Sequence, residues 1–288
     1  MTVTEFPGGV RVEGAEPFDL AQTLDCGQCF RFAPTGDGGW FGAAGGHAAG
    51  LRFEGESLVL EGATAAEFEG FWRDYLDLDR DYAAVRAAFA RDPRLAPCVA
   101  FAPGIRVLRQ PAFEALIAFI VSQNNNVPRI KGILARLCAL FGEPLPGGAR
   151  AFPAPERLAA CSKEELAPLR SGWRAGYILD AARQVAAGTV DLQAVAVMPL
   201  ADARRELTRI RGVGPKVAEC VLLYGMGRLE CFPMDVWMKR AMARLFPEET
   251  GKMPESAPAI FGPYAGIAQQ YIFHYCRCHP EEIREKTA

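Results

Sequence analysis

Over the first third of the chain, apolar positions come in short runs broken by Gly, Asp, Thr and Ser. The pattern is clearest in residues 28 to 62, "QCFRFAPTGDGGWFGAAGGHAAGLRFEGESLVLEG". Such punctuation predicts antiparallel strands joined by hairpins, with no nucleotide-binding crossover. From "TAAEFEGFWRDYLDL" onward the spacing becomes helical. "FEALIAFIVSQ" is apolar almost throughout and predicts a buried helix, whereas "ELAPLRSGWRAGYILDAARQVAAG" and "ADARRELTRIRGVG" predict amphipathic helices that end near glycines. The fold class is therefore α+β. A small N-terminal antiparallel β domain with flanking helices takes residues 1–100, and a helical body takes residues 101–288. The chain has no internal repeat and no low-complexity linker.

Composition adds little to this picture until it is divided. The 288 residues are half apolar, enough for a sizeable core. The N-terminus has neither the basic nor the apolar region of a secretion signal, and no later run is long enough to span a bilayer. These features read as a cytosolic protein with no membrane partner. Nine scattered cysteines predict reduced, half-buried thiols, and neither "CGQC" nor "CRCH" has compelling zinc spacing. The net charge is −2, yet residues 1 to 100 carry 8 Lys/Arg against 16 Asp/Glu, and the remainder carry 24 against 18. That asymmetry fits a C-terminal two-thirds facing a polyanion, or ordinary variation of a protein surface.

Candidate chemistry gathers in "LTRIRGVGPKVAECVLLYGMGRLECFPMD", residues 207 to 235. A helix, a short turn holding Gly212, Val213 and Gly214, and a second helix opening near Pro215 form a helix-hairpin-helix. Its glycines permit positive φ and close approach of another chain, and the N–H groups at the second helix start suit a phosphate. A P-loop is disfavoured, because a helix precedes the turn and neither Ser nor Thr follows the lysine. The same residues also suit a plain tight turn in a bundle. Lys216 opens an apolar helix, where burial and the helix dipole disfavour its ammonium form and leave some neutral, nucleophilic amine. A surface lysine on a phosphate is the simpler reading. Asp235, directly before the next helix, is an N-cap on its own terms. Cys220 lies one turn beyond Lys216, and Gln269 and Phe273 share a helix face, able to grip a flat ligand by edge and ring. Each also suits a packed core.

The hairpin, the helix-opening lysine and the capping aspartate together resemble the HhH-GPD superfamily of DNA glycosylases, specifically its 8-oxoguanine DNA glycosylase/AP lyase branch. The likeness covers roughly residues 18 to 280. "CGQCFRF" is similar to a Gly-Gln-x-Phe-Arg stretch and implies that the Gly27 carbonyl accepts from N7–H of the oxidised base. "FIVSQNNNVPRIKGIL" resembles a triple-asparagine loop and its helix, implying that Asn124 fills the space left by the flipped nucleotide and that Arg129 reads the partner base. "GWRAGY" resembles a turn that implies a wedge at Trp173 and a second partner-base arginine at Arg174. "GPYAGIAQQYIF" implies that Gln269 binds the Watson–Crick edge and Phe273 stacks on the lesion, with Cys220 as the opposite wall of the pocket.

The resemblance further implies catalysis by Lys216 and Asp235, phosphate held by Gly212, Val213 and Gly214, and a main-chain cation site at Thr208, Ile210 and Val213. The implied enzyme is a monomer that needs no cofactor, binds damaged double-stranded DNA and, in a bacterium, accompanies the nucleoid. Three positions depart from the family pattern. Trp173 stands for a tyrosine, Trp237 for a phosphate-binding histidine and Cys276 for an acidic residue. Two rivals remain from the residues alone: a non-catalytic helix-hairpin-helix DNA-binding protein, and a glycosylase of the same superfamily for another damaged base.

Overall fold

Residues 1–15 and 18–283 are described by the computed structural model. Strands β1 (Thr2–Phe6), β2 (Gly9–Glu13), β3 (Phe32–Pro34), β4 (Trp40–Ala44), β5 (His47–Glu54) and β6 (Ser57–Glu61) form one antiparallel sheet in the order β1-β2-β6-β5-β4-β3. Register explains its buried face: Val10 pairs with Leu60, Leu60 with Leu51, and Leu51 with Trp40, so one apolar row crosses four strands. That row packs on Phe68, Trp72 and Tyr75 of the helical segment 65–75, which opens on a Thr64–Glu67 capping box. The hairpin pattern over residues 28 to 62 yields β3 to β6. The sheet also includes β1 and β2, whose five residues each carry too short an alternation to stand out beforehand.

Among the remaining elements, helix α1 (Leu20–Leu24) packs into the core of the sheet unit, whereas α2 (Tyr82–Phe89) puts Tyr82, Val85 and Phe89 into the core of the helical body. The body comprises α3 (Ala112–Ser122), α4 (Val127–Phe141), α5 (Arg174–Ala186), α6 (Leu200–Leu207), α7 (Pro215–Met226), α8 (Val236–Leu245) and α9 (Ala265–Cys278). Helix α3 is buried continuously from Glu114 to Val121 and packs against α5 and α7, as its unbroken apolar run predicts. The stretch beginning "ELAPLRSGW" is not one helix. Pro168 lies in a short 3-10 turn, Arg170 takes φ 55° and Gly172 φ 61°, and α5 starts only at Arg174. This break turns Trp173 outward, 50% exposed.

Two polar clamps join sheet unit and body. Gln28, fully buried, donates to the carbonyls of Thr23 (2.9 Å) and Arg106 (2.8 Å) and accepts from Leu108 N (2.9 Å). Arg31 pairs with the buried Glu114 of α3 at 3.0 Å. Two residues of the Gly-Gln-x-Phe-Arg stretch thus serve the fold, leaving its glycine to face the site. The nine cysteines are free thiols, eight of them fully buried rather than half-buried. No helix of the described residues is long and apolar enough to cross a membrane.

Candidate active site

Helices α6 and α7 meet through residues 208–214. Val213 N donates to Ile210 O at 3.0 Å, and Gly212 takes φ +87°. A Cβ on Gly212 would lie 2.1 Å from Cδ2 of Tyr177, so packing and backbone both demand glycine. Gly214 is different. It caps α7 at φ −91° with nothing within 4 Å of a Cβ built there. The first N–H groups of α7 therefore stand at an uncrowded helix start, where intrahelical acceptors are lacking. Thr208, Ile210 and Val213 all belong to this turn.

Lys216 is the second residue of α7, half-buried, with Nζ 5.3 Å from the centroid of the Phe119 ring. Cys220 and Tyr224 follow on the same face at four-residue spacing. Burial pushes the Cys220 thiol up to about 11 against a smaller downward pull from Lys216, so it is a neutral thiol at pH 7. Tyr224 stacks on Phe119 with centroids 5.3 Å apart, and its hydroxyl donates to Gln270 Oε1 at 2.6 Å while lying 3.1 Å from Gln269 Oε1. Gln269 donates to Pro233 O at 3.4 Å, and Gln270 to Cys26 O at 3.1 Å. These bonds fasten α9 to α7 and to the loop holding Gly27. That glycine has φ +87°, and a Cβ on it would stand 3.2 Å from Cε1 of Phe273.

Asp235 caps α8 by accepting from Met238 N at 2.8 Å. The loop that delivers it is pinned by Glu219, 2% exposed, which pairs with Arg204 at 2.5 Å and accepts from Phe232 N at 2.8 Å. Gly27, Lys216, Cys220, Asp235, Gln269 and Phe273 thus border one cavity, together with Phe119, Tyr224 and Pro233. Its volume is about 40 Å³, room for a few waters. Tyr224 was findable from sequence, since it continues the i, i+4 series begun by Lys216 and Cys220. Phe119, Pro233 and Glu219 carried no such signal, being adjacent only in three dimensions.

An open groove of about 730 Å³ adjoins this cavity and shares Lys216 and Asp235 with it. Asn124, Arg129, Gly214 and Trp237 also line it. Asn124 takes φ 48°, while Asn126 caps α4 through Arg129 N at 3.0 Å and Asn125 bonds Val121 O at 3.1 Å. Arg129 is exposed. Arg174 is 3% exposed, donating to the carbonyls of Gln123 (3.0 Å), Asn124 (3.1 Å) and Ser171 (3.3 Å), with its guanidinium 4.3 Å from the Trp173 ring. Burial, and secondarily the charge of Arg129, hold it below its ordinary value. Trp173 and Arg170 border a neighbouring recess with Arg211 and Lys163. Of the departures, Trp237 is exposed beside Asp235, whereas Cys276 lies in the helical core, 2% exposed, and does not line the cavity.

Comparison with known proteins agrees with this geometry. Residues 11–116 match the family model of the 8-oxoguanine DNA glycosylase N-terminal domain, and residues 117–262 match that of HhH-GPD superfamily base excision DNA repair proteins. An N-glycosylase/DNA lyase of Arabidopsis thaliana is 31% identical over 277 residues, 88% of this chain and 76% of that protein. The 8-oxoguanine glycosylase/lyase of Clostridium acetobutylicum, solved with duplex DNA carrying cytosine opposite 8-oxoguanine, superposes with a TM-score of 0.93 at 33% identity, covering 97% of this chain and 99% of that one. MBOgg1, solved with a low-affinity DNA ligand, gives the same TM-score and coverage at 38% identity. With a lysine and a capping aspartate meeting at one cavity beside a helix-hairpin-helix, and with both halves of the chain matched, the protein belongs to the HhH-GPD superfamily of base excision DNA repair proteins, in its 8-oxoguanine DNA glycosylase/lyase branch.

Proposed function

We propose that this protein excises 8-oxoguanine from duplex DNA and then cuts the strand at the resulting site. One observation carries the reading: an amine, a carboxylate, a glutamine amide and a phenylalanine ring border a single cavity. A base inside the duplex cannot reach such a cavity, so the nucleotide must leave the stack. The cavity is too small for a purine as it stands, so the Phe273 ring moves from Gly27 to admit one. Gln269 then meets the Watson–Crick edge, Phe273 stacks on the ring, and the Gly27 carbonyl accepts from N7–H, which guanine lacks.

The amine of Lys216 attacks C1′, and the bond from C1′ to the base breaks. Asp235 stabilises the positive charge that develops on the sugar. Ring opening gives a Schiff base between Lys216 and C1′; loss of a C2′ proton then forms a C2′–C3′ double bond as the C3′–O bond breaks and the 3′-phosphate leaves, severing the strand 3′ to the lesion. Phosphate lies on the hairpin turn of residues 212–214 through the N–H groups of Gly212 and Gly214, the Val213 N–H being held by Ile210 O, and the carbonyls of Thr208, Ile210 and Val213 are the candidate cation ligands. Asn124 fills the vacated space and Trp173 is the wedge. Arg129 addresses the orphaned base, with cytosine preferred because its O2 and N3 accept from arginine donors, and Arg174 joins it only by leaving the carbonyls of Gln123, Asn124 and Ser171. The division near residue 100 then separates a sheet unit from a body that holds most of this chemistry, with Gly27 crossing between them.

The test is borohydride trapping on duplexes with and without 8-oxoguanine. A covalent adduct on the lesion duplex alone is the expected result. Binding without an adduct would favour a non-catalytic DNA-binding protein, and an adduct only with another damaged base would redirect the substrate.

A further inference from the structure

The stripe that carries Gln269 and Phe273 continues to Arg277 on α9, four residues further on. Its Nη1 atom is buried and has no hydrogen-bond partner among the described residues. That same atom stands 3.5 Å from where a Cβ of Gly27 would be, beside the Phe273 ring edge at 3.2 Å. A buried guanidinium nitrogen without an acceptor is uncommon and unfavourable, and such a group calls for a ligand oxygen. Among the described residues it forms no ion pair. The Cys26 thiol is pushed up to about 12 by burial, His274 is pushed down by burial and by Arg277 itself, and nearby Asp25 is paired with Lys131 at 3.0 Å.

We propose that Arg277 is a specificity residue whose Nη1 donates to the C8 carbonyl oxygen of the flipped lesion, next to the Gly27 carbonyl that accepts from N7–H. This rests on the reading of the cavity as an 8-oxoguanine site. With the Watson–Crick edge at Gln269 and the ring on Phe273, the imidazole edge points along the stripe away from Gln269, toward Gly27 and Arg277. An acceptor and a donor side by side complement the N7–H and C8=O of the oxidised base. Guanine mismatches both, presenting a lone pair to the carbonyl and C8–H to the cation. No bond is made or broken at Arg277.

The experiment compares wild type with Arg277→Met, which keeps the apolar stem, and Arg277→Lys, which keeps a donor. Single-turnover excision of 8-oxoguanine is measured beside cleavage of a pre-formed abasic site, with thermal melting as a check on folding. Arg277→Met should lose about 10- to 100-fold in excision, as expected for a lost charged hydrogen bond, and nothing on the abasic site, with Arg277→Lys recovering part. Excision by Arg277→Met at the wild-type rate overturns the proposal, and so do equal losses on both substrates, which mark a structural role. A wild-type protein that melts normally yet excises no 8-oxoguanine defeats the reading of the cavity itself, and the proposal falls with it.

Discussion

The base cavity and the adjoining groove share Lys216 and Asp235 but are built in opposite ways. Around the cavity, Tyr224 and Gln269, with Gln270 behind them, are buried and hydrogen-bonded within the protein. In the groove, Asn124, Arg129 and Trp237 are exposed on loops and helix starts, and Arg174 is committed to backbone carbonyls beneath them. A pocket walled by buried, bonded groups suits one ligand of fixed shape, because any replacement leaves those groups unpaired. An open surface of long side chains suits a polymer whose partner strand must be accommodated along its length. The two catalytic candidates sit at the seam, where the proposed extruded nucleotide would pass from one to the other.

The largest effect follows from breaking that seam. Lys216→Gln removes the nucleophile but leaves the α7 start and the hairpin intact, so trapping and strand cleavage should vanish while affinity for lesion-containing duplex stays close to wild type. Gel-shift and trapping assays on one preparation decide it, and persistent adduct would move the nucleophile elsewhere. Asp235→Asn should come next. An amide oxygen still accepts from Met238 N, so melting should hardly change, whereas loss of the negative charge should lower excision by about 100-fold or more. Activity near wild type would reduce Asp235 to a helix cap.

These two positions were legible because Lys216 and Asp235 stand at helix starts, where local sequence reports local structure. The hairpin, the buried α3 and the strands β3 to β6 were legible for the same reason: turn residues and periodicity act within a few positions. What escaped depends on distant partners. Gln28 reads as part of a recognition motif until its side chain is seen to hold residues 106 and 108, and Glu219 reads as a polar interruption of an apolar helix until it meets Arg204 and Phe232 N. Arg174 has the composition of a DNA contact but the burial of a core residue, because the chain break at Arg170 and Gly172 folds it under the asparagine loop.

A smaller effect separates fold from contact within the hairpin. An alanine at position 212 must adopt φ near +87° and push aside Tyr177, so Gly212→Ala should destabilise by about 2 kcal/mol or more and lower Tm. At position 214 the backbone is ordinary and the space is empty, so Gly214→Ala should stay within about 0.5 kcal/mol of wild type. The uncovered helix start is the proposed phosphate contact, so Gly214→Ala should weaken DNA binding although it spares the fold. If both variants melt alike, the contrast between the two glycines is lost.

An effect that depends on the opposite base sharpens the groove itself. Arg129 and Arg174 carry the same donors, but only Arg129 is exposed, and Arg174 has most of its donors on Gln123, Asn124 and Ser171. Arg129→Ala should therefore act on the partner base directly. Cytosine offers O2 and N3 as acceptors to a donor-only side chain, whereas adenine turns its N6 amino group toward the same cation. The preference for lesions opposite cytosine should shrink by about 1 to 3 kcal/mol, read as the change in relative excision rates against the four opposite bases. Arg174→Ala should instead loosen the loop holding Asn124 and slow excision opposite all four bases alike, because its bonds are to the protein. Parallel losses for Arg129→Ala would make it a phosphate contact. A base-dependent loss for Arg174→Ala would mean that it leaves those carbonyls when DNA binds.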